Sequence, residues 1–170
     1  MDPHAIFENF RRTVTEHYFD MNGRVGRPQF WYFVLANFVC AIIAAILQGV
    51  TFVPLLALYN LAMILPAAGM GARRLQDIGR DGKLVWIFVF AGFISQALAA
   101  VSMLGALSTG FVGIMYFGSI FALLGLINLA FLVVTIVLIY FWCQPGDPGS
   151  NAYGPPPPVF DPSRPVSPPA

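Results

Sequence analysis

Charge is what this sequence has least of, and its absence is patterned. Residues 30–72 contain no Asp, Glu, Lys or Arg, and neither do residues 84–146. Only 10% of the chain is charged against 58% hydrophobic, where a soluble domain carries about a quarter charged residues. The mean hydropathy is +0.73, and the apolar runs far exceed the ~18 residues that mark a membrane span. A soluble globular domain is excluded, and an all-α, multi-span membrane protein is expected.

Other absences narrow the function. Two cysteines, Cys40 and Cys143, lie at opposite ends of the hydrophobic region without CxxC spacing, so no metal framework or disulfide is expected. His4 and His17 are too few for a metal site. A net charge of +1 gives no basic patch for nucleic acid. No Ser/His/Asp set, phosphate loop or paired-carboxylate cleft can be assembled. Asp77 and Asp81 stand among arginines, which favour the ionised carboxylate and work against a general acid. The expectation is a non-enzyme with no cofactor and no metal.

What charge there is defines the plan of the chain. Four of the nine Lys/Arg lie in residues 1–29, four lie in the island 73–83, and the last is Arg164. Residues 3–18 form an expected amphipathic helix, with Asp2 as a cap and Pro3 in its first turn. Phe7, Phe10, Val14 and Tyr18 recur on one face. Such a helix either lies in the headgroup region or packs on the spans from the cytosol. Asn22-Gly23 is a turn signal. Arg24 and Arg27 followed by Phe30-Trp31-Tyr32 fit the start of a span, with Arg at the phosphates and aromatics at the interface. The first apolar run begins only at Phe30, after several acidic residues, so a cleaved signal peptide is not expected.

Four spans are expected, at about residues 30–47, 52–72, 84–104 and 119–141, arranged as two hairpins. Gln48-Gly49 ends the first, Thr51 caps the second with Pro54 in its first turn, and Pro66 kinks it. Gly105 to Gly110 is the turn between the last two. Because the segment 1–29 and the loop 73–83 hold the positive charge, both are placed in the cytoplasm, and the tail with them. Ten prolines among residues 144–170 predict a disordered or polyproline II tail. It serves either as a solvated spacer or as a partner-binding segment.

Three stretches resemble one known family. Gly23-Arg24-Val25-Gly26-Arg27 with Phe30-Trp31 resembles its "GR-x-x-R…W" motif, and Arg73 through Gly82 resembles its "RRLHD-x-G-x-S-G" loop. Pro145 through Gly154 is similar to its closing "G-T-x-G-x-N-x-Y-G" signature. The family is the bacterial inner-membrane group known as domain of unknown function 805. The resemblance implies a small multi-span inner-membrane protein and brings no established activity. Gln76 stands where the family usually has His, and Lys83-Leu84 replaces the usual tryptophans.

The candidate site is the island and what folds against it. On a helix continuing through Asp77, Arg73 and Arg74 lie four and three residues away and face it. A carboxylate at a helix C-terminus is disfavoured by the dipole, so Asp77 needs a further partner, which Arg24 or Arg27 can supply. Arg24, Arg27, Arg73, Arg74, Asp77 and Arg80, with Asp81 beside them, are expected to form one cytoplasmic-face network onto which Asn151 and Tyr153 fold. The network either fixes helix packing or docks anionic lipid headgroups or a partner protein.

Within the spans the polar residues are Asn37, Asn60, Ser95, Gln96, Ser102, Asn128 and Thr135, none ionisable at neutral pH. Ion-coupled transporters place ionisable groups there. Ala91, Ser95 and Ala99, and Gly118 with Ala122, form small-residue stripes suited to close helix packing. The functional expectation is a non-catalytic scaffold or accessory subunit with lipid and membrane-protein contacts. The alternative is a small homo-oligomeric transporter or channel.

Overall fold

The computed structural model describes residues 3–159, with the side chains of all but residues 3, 91, 95, 96, 98–121 and 124. Four helices follow one another: α1 (Pro3–Thr15), α2 (Arg27–Thr51), α3 (Leu55–Asp77) and α4 (Leu84–Cys143). The chain divides into two compact units, Met1–Gly82 with Trp142–Ala170, and Lys83–Phe141. Among the described residues, three helical segments are long and apolar enough to cross a membrane: Arg27–Thr51, Leu55–Asp77 and Gly125–Cys143.

In the first unit α2 and α3 run antiparallel. Tyr59 donates to the Asn37 carboxamide oxygen at 2.7 Å, and Val25 N–H donates to the Arg73 carbonyl at 3.3 Å at the charged end. α2 is longer than expected at both ends. Pro28 sits in its first turn, where a missing N–H costs nothing. The helix stops when Phe52 takes a left-handed conformation (φ 58°), its N–H returning to the Gln48 carbonyl at 2.9 Å. Thr51 therefore closes α2 and does not cap α3: its hydroxyl donates to the Leu47 carbonyl at 2.8 Å. Gln48 serves the start of α3, its side-chain oxygen accepting from Leu56 N–H at 3.1 Å, and Pro54 precedes the helix instead of lying within its first turn.

Pro66 lies inside α3. A proline has no N–H for the carbonyl four residues before it, which here belongs to Ala62. The Tyr18 hydroxyl fills the gap, donating to that carbonyl at 2.6 Å. The chain just beyond Tyr18 passes so close to α3 that a Cβ on Gly69 would lie 2.8 Å from the Asp20 carbonyl oxygen.

α1 packs on α2 and α3. Asn9 donates to the Gln29 carbonyl at 3.0 Å, Phe10 stacks on Phe33 with centroids 5.7 Å apart, and Val14 joins the core of Val25, Phe30, Phe33, Met63 and Met70. Tyr18, expected on the same helix face, lies beyond the helix end.

Apart from Lys83, the second unit consists of α4 residues. A straight 60-residue helix would be about 90 Å long and would hold Phe88 and Phe131 about 65 Å apart. Their rings instead stack at 4.3 Å, and Phe131 also lies against Gly92. The chain therefore reverses between Gly92 and Phe131, although α4 is helical throughout, including the expected turn at residues 105–110. The side chains of Ser95, Gln96, Ser102, Ala91, Ala99 and Gly118 lie outside the described residues.

Candidate functional site

The site forms where α3 ends. α3 continues through Asp77, and Gly79 (φ 72°) provides the left-handed residue just past the end. This last turn carries Arg73, Arg74, Gln76 and Asp77, all buried. Burying ionised groups is costly unless each finds a partner, and the surrounding chain supplies them.

Asp77 is the hub. Its carboxylate receives Arg24 Nε at 3.0 Å on one oxygen and Arg74 Nη1 on the other. Exposure of the three side chains is 1% for Arg24, 0% for Arg74 and 3% for Asp77. The main-chain carbonyl of Asp77 accepts from Asp147 N–H at 2.8 Å, so the residue is engaged on both its side chain and its backbone.

The two arginines then reach the C-terminal segment. Arg24 Nη1 donates to the Gly149 carbonyl at 2.6 Å and the Gly154 carbonyl at 3.3 Å, and Nη2 donates to the Asp147 carbonyl. Arg74 Nε donates to the Trp142 carbonyl at 3.0 Å and its Nη2 to the Gln144 carbonyl. The last carbonyls of α4 have no partner within their own helix, and a guanidinium is suited both to them and to the negative end of the helix dipole. Trp142 fixes the same end, its indole N–H donating to the Gly71 carbonyl at 3.2 Å.

Residues 144–154 are thus a folded clasp, which corrects the expectation of disorder from residue 144 onward. Asn151 and Gly154 exchange backbone hydrogen bonds, each 3.1 Å, and Gly154 (φ 123°) closes the turn. Asn151 Nδ2 donates to the Gln76 carbonyl and to an Asp147 carboxylate oxygen, each at 2.9 Å, and its Oδ1 receives Tyr153 N–H at 2.9 Å. The Asp77 carboxylate lies directly on Gly146, in the space a Cβ there would occupy. A proline count weighs against helix and sheet. It does not weigh against a turn whose carbonyls are held by buried arginines.

Of the sequence-predicted set, Arg24, Arg74, Asp77, Asn151 and Tyr153 are brought together. Arg27 is at the edge, exposed, with Nη1 3.5 Å from the Cys143 carbonyl. Arg73 does not pair with Asp77. It turns the other way, with Nη2 3.2 Å from the Met70 sulfur and Nη1 3.8 Å from the Asp20 carboxylate. Arg80 and Asp81 are exposed in the loop after α3. The geometry adds Trp142, Gln144, Gly146, Asp147 and Gly149, which contribute mostly backbone atoms and left no signal in side-chain chemistry. Among the described residues no group of three or more His, Cys, Asp or Glu could hold a metal ion.

A buried arginine–aspartate hub holding a C-terminal clasp to the end of an apolar helix defines an integral membrane protein with an ordered polar cap. The chain belongs to the family described as "Protein of unknown function (DUF805)", whose profile matches residues 18–155. That match begins at Tyr18 and ends just past the clasp. The chain is 28% identical over 145 residues to the "Inner membrane protein YhaI" of Escherichia coli K12, covering 84% of this chain and 89% of the relative. The protein of that name from Escherichia coli O157:H7 matches to the same extent. No solved structure matches.

Proposed function

We propose that this protein is a small non-catalytic component of the bacterial inner membrane, a scaffold or accessory subunit that presents a rigid cytoplasmic cap to a membrane-protein partner. The observation that carries this is the closed state of the Asp77 hub. Arg24, Arg74 and Asp77 satisfy one another and the clasp, so they build the cap and are not the docking groups. Docking falls to the exposed Arg80–Asp81 loop.

The threading that supports this reading has four spans as two hairpins, with both ends cytoplasmic. The stacking of Phe88 on Phe131 puts the reversal of α4 between them, within the uncharged stretch 84–146, which suits the external side. The charged segments then share one face, as the positive-inside rule requires. A Ser108→Cys variant is expected to react with an impermeant thiol reagent from the periplasmic side. Labelling only from the cytoplasmic side refutes the threading.

The functional test is co-purification from native membranes after gentle crosslinking, comparing the wild type with Arg80→Glu/Asp81→Lys and with a chain ending at Gly154. A distinct partner held by the wild type and lost from the loop variant is the expected result. Loss only on removal of the Pro-rich segment moves the contact to the tail. Recovery of nothing but a homo-oligomer from all three refutes the scaffold reading and favours the channel alternative, whose one favourable observation is that Asn60 is exposed on the apolar surface of α3.

A further inference from the structure

The apolar stripe of α1 and its protein-packed face point in different directions. At about 100° per residue, Phe7, Phe10 and Val14 share one stripe. The residues buried in the protein are Ala5, Asn9 and Thr13, a row about a third of a turn away around the helix. Phe10 and Val14 lie between the two and reach the core. Phe7 lies on the far side of the stripe and is 63% exposed.

The attachments of α1 fix its depth. Asn9 bonds to Gln29, immediately before the uncharged run that begins at residue 30, and Thr13 contacts Met70 near the charged end of α3. The helix is therefore held where the spans leave the apolar layer. The exposed row of α2 starts about half a turn beyond that contact, at Trp31, and continues through Leu35 and Phe38. On the outer side of α1, Glu8 pairs with both Arg11 and Arg12, and Glu16 lies 3.8 Å from Arg11, so the two positive and two negative charges there balance.

We infer that α1 is a lipid-interface helix, with Phe7 inserted at the boundary between headgroups and acyl chains of the leaflet that surrounds α2. The occupant of this face is phospholipid, and because Glu8 and Glu16 balance Arg11 and Arg12, a zwitterionic headgroup suffices. Phe7 lies ahead of the residues that the family model matches, 18–155. This anchor does not depend on the scaffold reading.

The test uses the full chain carrying Cys40→Ser and Cys143→Ser, with one spin label at Phe7→Cys or at Thr15→Cys, reconstituted in phosphatidylcholine vesicles. Thr15 is exposed on the polar side of α1. The Phe7 label is expected to collide more often with dissolved oxygen, which concentrates in the bilayer, than with a water-soluble nickel chelate. The Thr15 label is expected to show the reverse. A Phe7 label that prefers the nickel chelate faces water and overturns the inference. A Phe7 label shielded from both collides with protein instead, from a second copy or elsewhere in the chain, and overturns it too.

Discussion

Replacing Asp77 with Asn tests the hub directly. Asn keeps the shape that Gly146 lies against, but it removes the one full negative charge between two buried guanidiniums. It also turns an N–H₂ group toward one of them. Arg24 and Arg74 have 1% and 0% of their side chains exposed, so water cannot compensate. Removing one partner of a buried ion pair costs about 3–5 kcal/mol, and here a single residue serves two. The expected result is a loss of that size in unfolding experiments in mild detergent, together with rapid protease cleavage within residues 144–154. Both readouts are needed, because the clasp is attached through Arg24 and Arg74. A variant that melts like the wild type and keeps its clasp protected would refute the view that Asp77 organises this end of the protein.

Further outcomes follow from other contacts. Gly146→Ala places a Cβ on the Asp77 carboxylate and is expected to cost about 1–3 kcal/mol by overpacking, read as faster hydrogen exchange in the clasp. Tyr18→Phe leaves the Ala62 carbonyl without its 2.6 Å donor and is expected to cost about 0.5–1.5 kcal/mol. In a Pro66→Ala background the restored N–H supplies that carbonyl, so a double-mutant cycle should show the Tyr18→Phe penalty shrink; an unchanged penalty argues against the pairing. Glu8 is held at about 2, below its ordinary 4.5, foremost by the hydrogen bond from Arg11. Because the folded value is the lower one, this contribution to α1 is complete above pH 4.5 and is lost as pH falls through about 2. Helix-specific exchange should follow that window in the wild type and be flat across it in Glu8→Gln.

The sequence by itself determined the class of protein. Two long stretches without a charged residue call for apolar helices, since backbone groups in hydrocarbon must be satisfied internally and these continuous apolar runs lack the alternation of a membrane strand. The isolated island made Asp77, Arg74 and Arg24 visible as partners, because helical spacing and the scarcity of charge left few alternatives. Only the tertiary structure decided the rest, and for a common reason: the deciding contacts are between backbone and distant side chains. The tail from residue 144 looked unfoldable by composition, yet its carbonyls are the acceptors that buried Arg24 and Arg74 require. Arg73 turns to Asp20 rather than Asp77, a choice set by where the chain before α2 passes α3. The carbonyl freed by Pro66 was predictable, but not that Tyr18 would fill it. Local pattern fixes which groups need a partner, and the path of the chain through space fixes which partner each one gets.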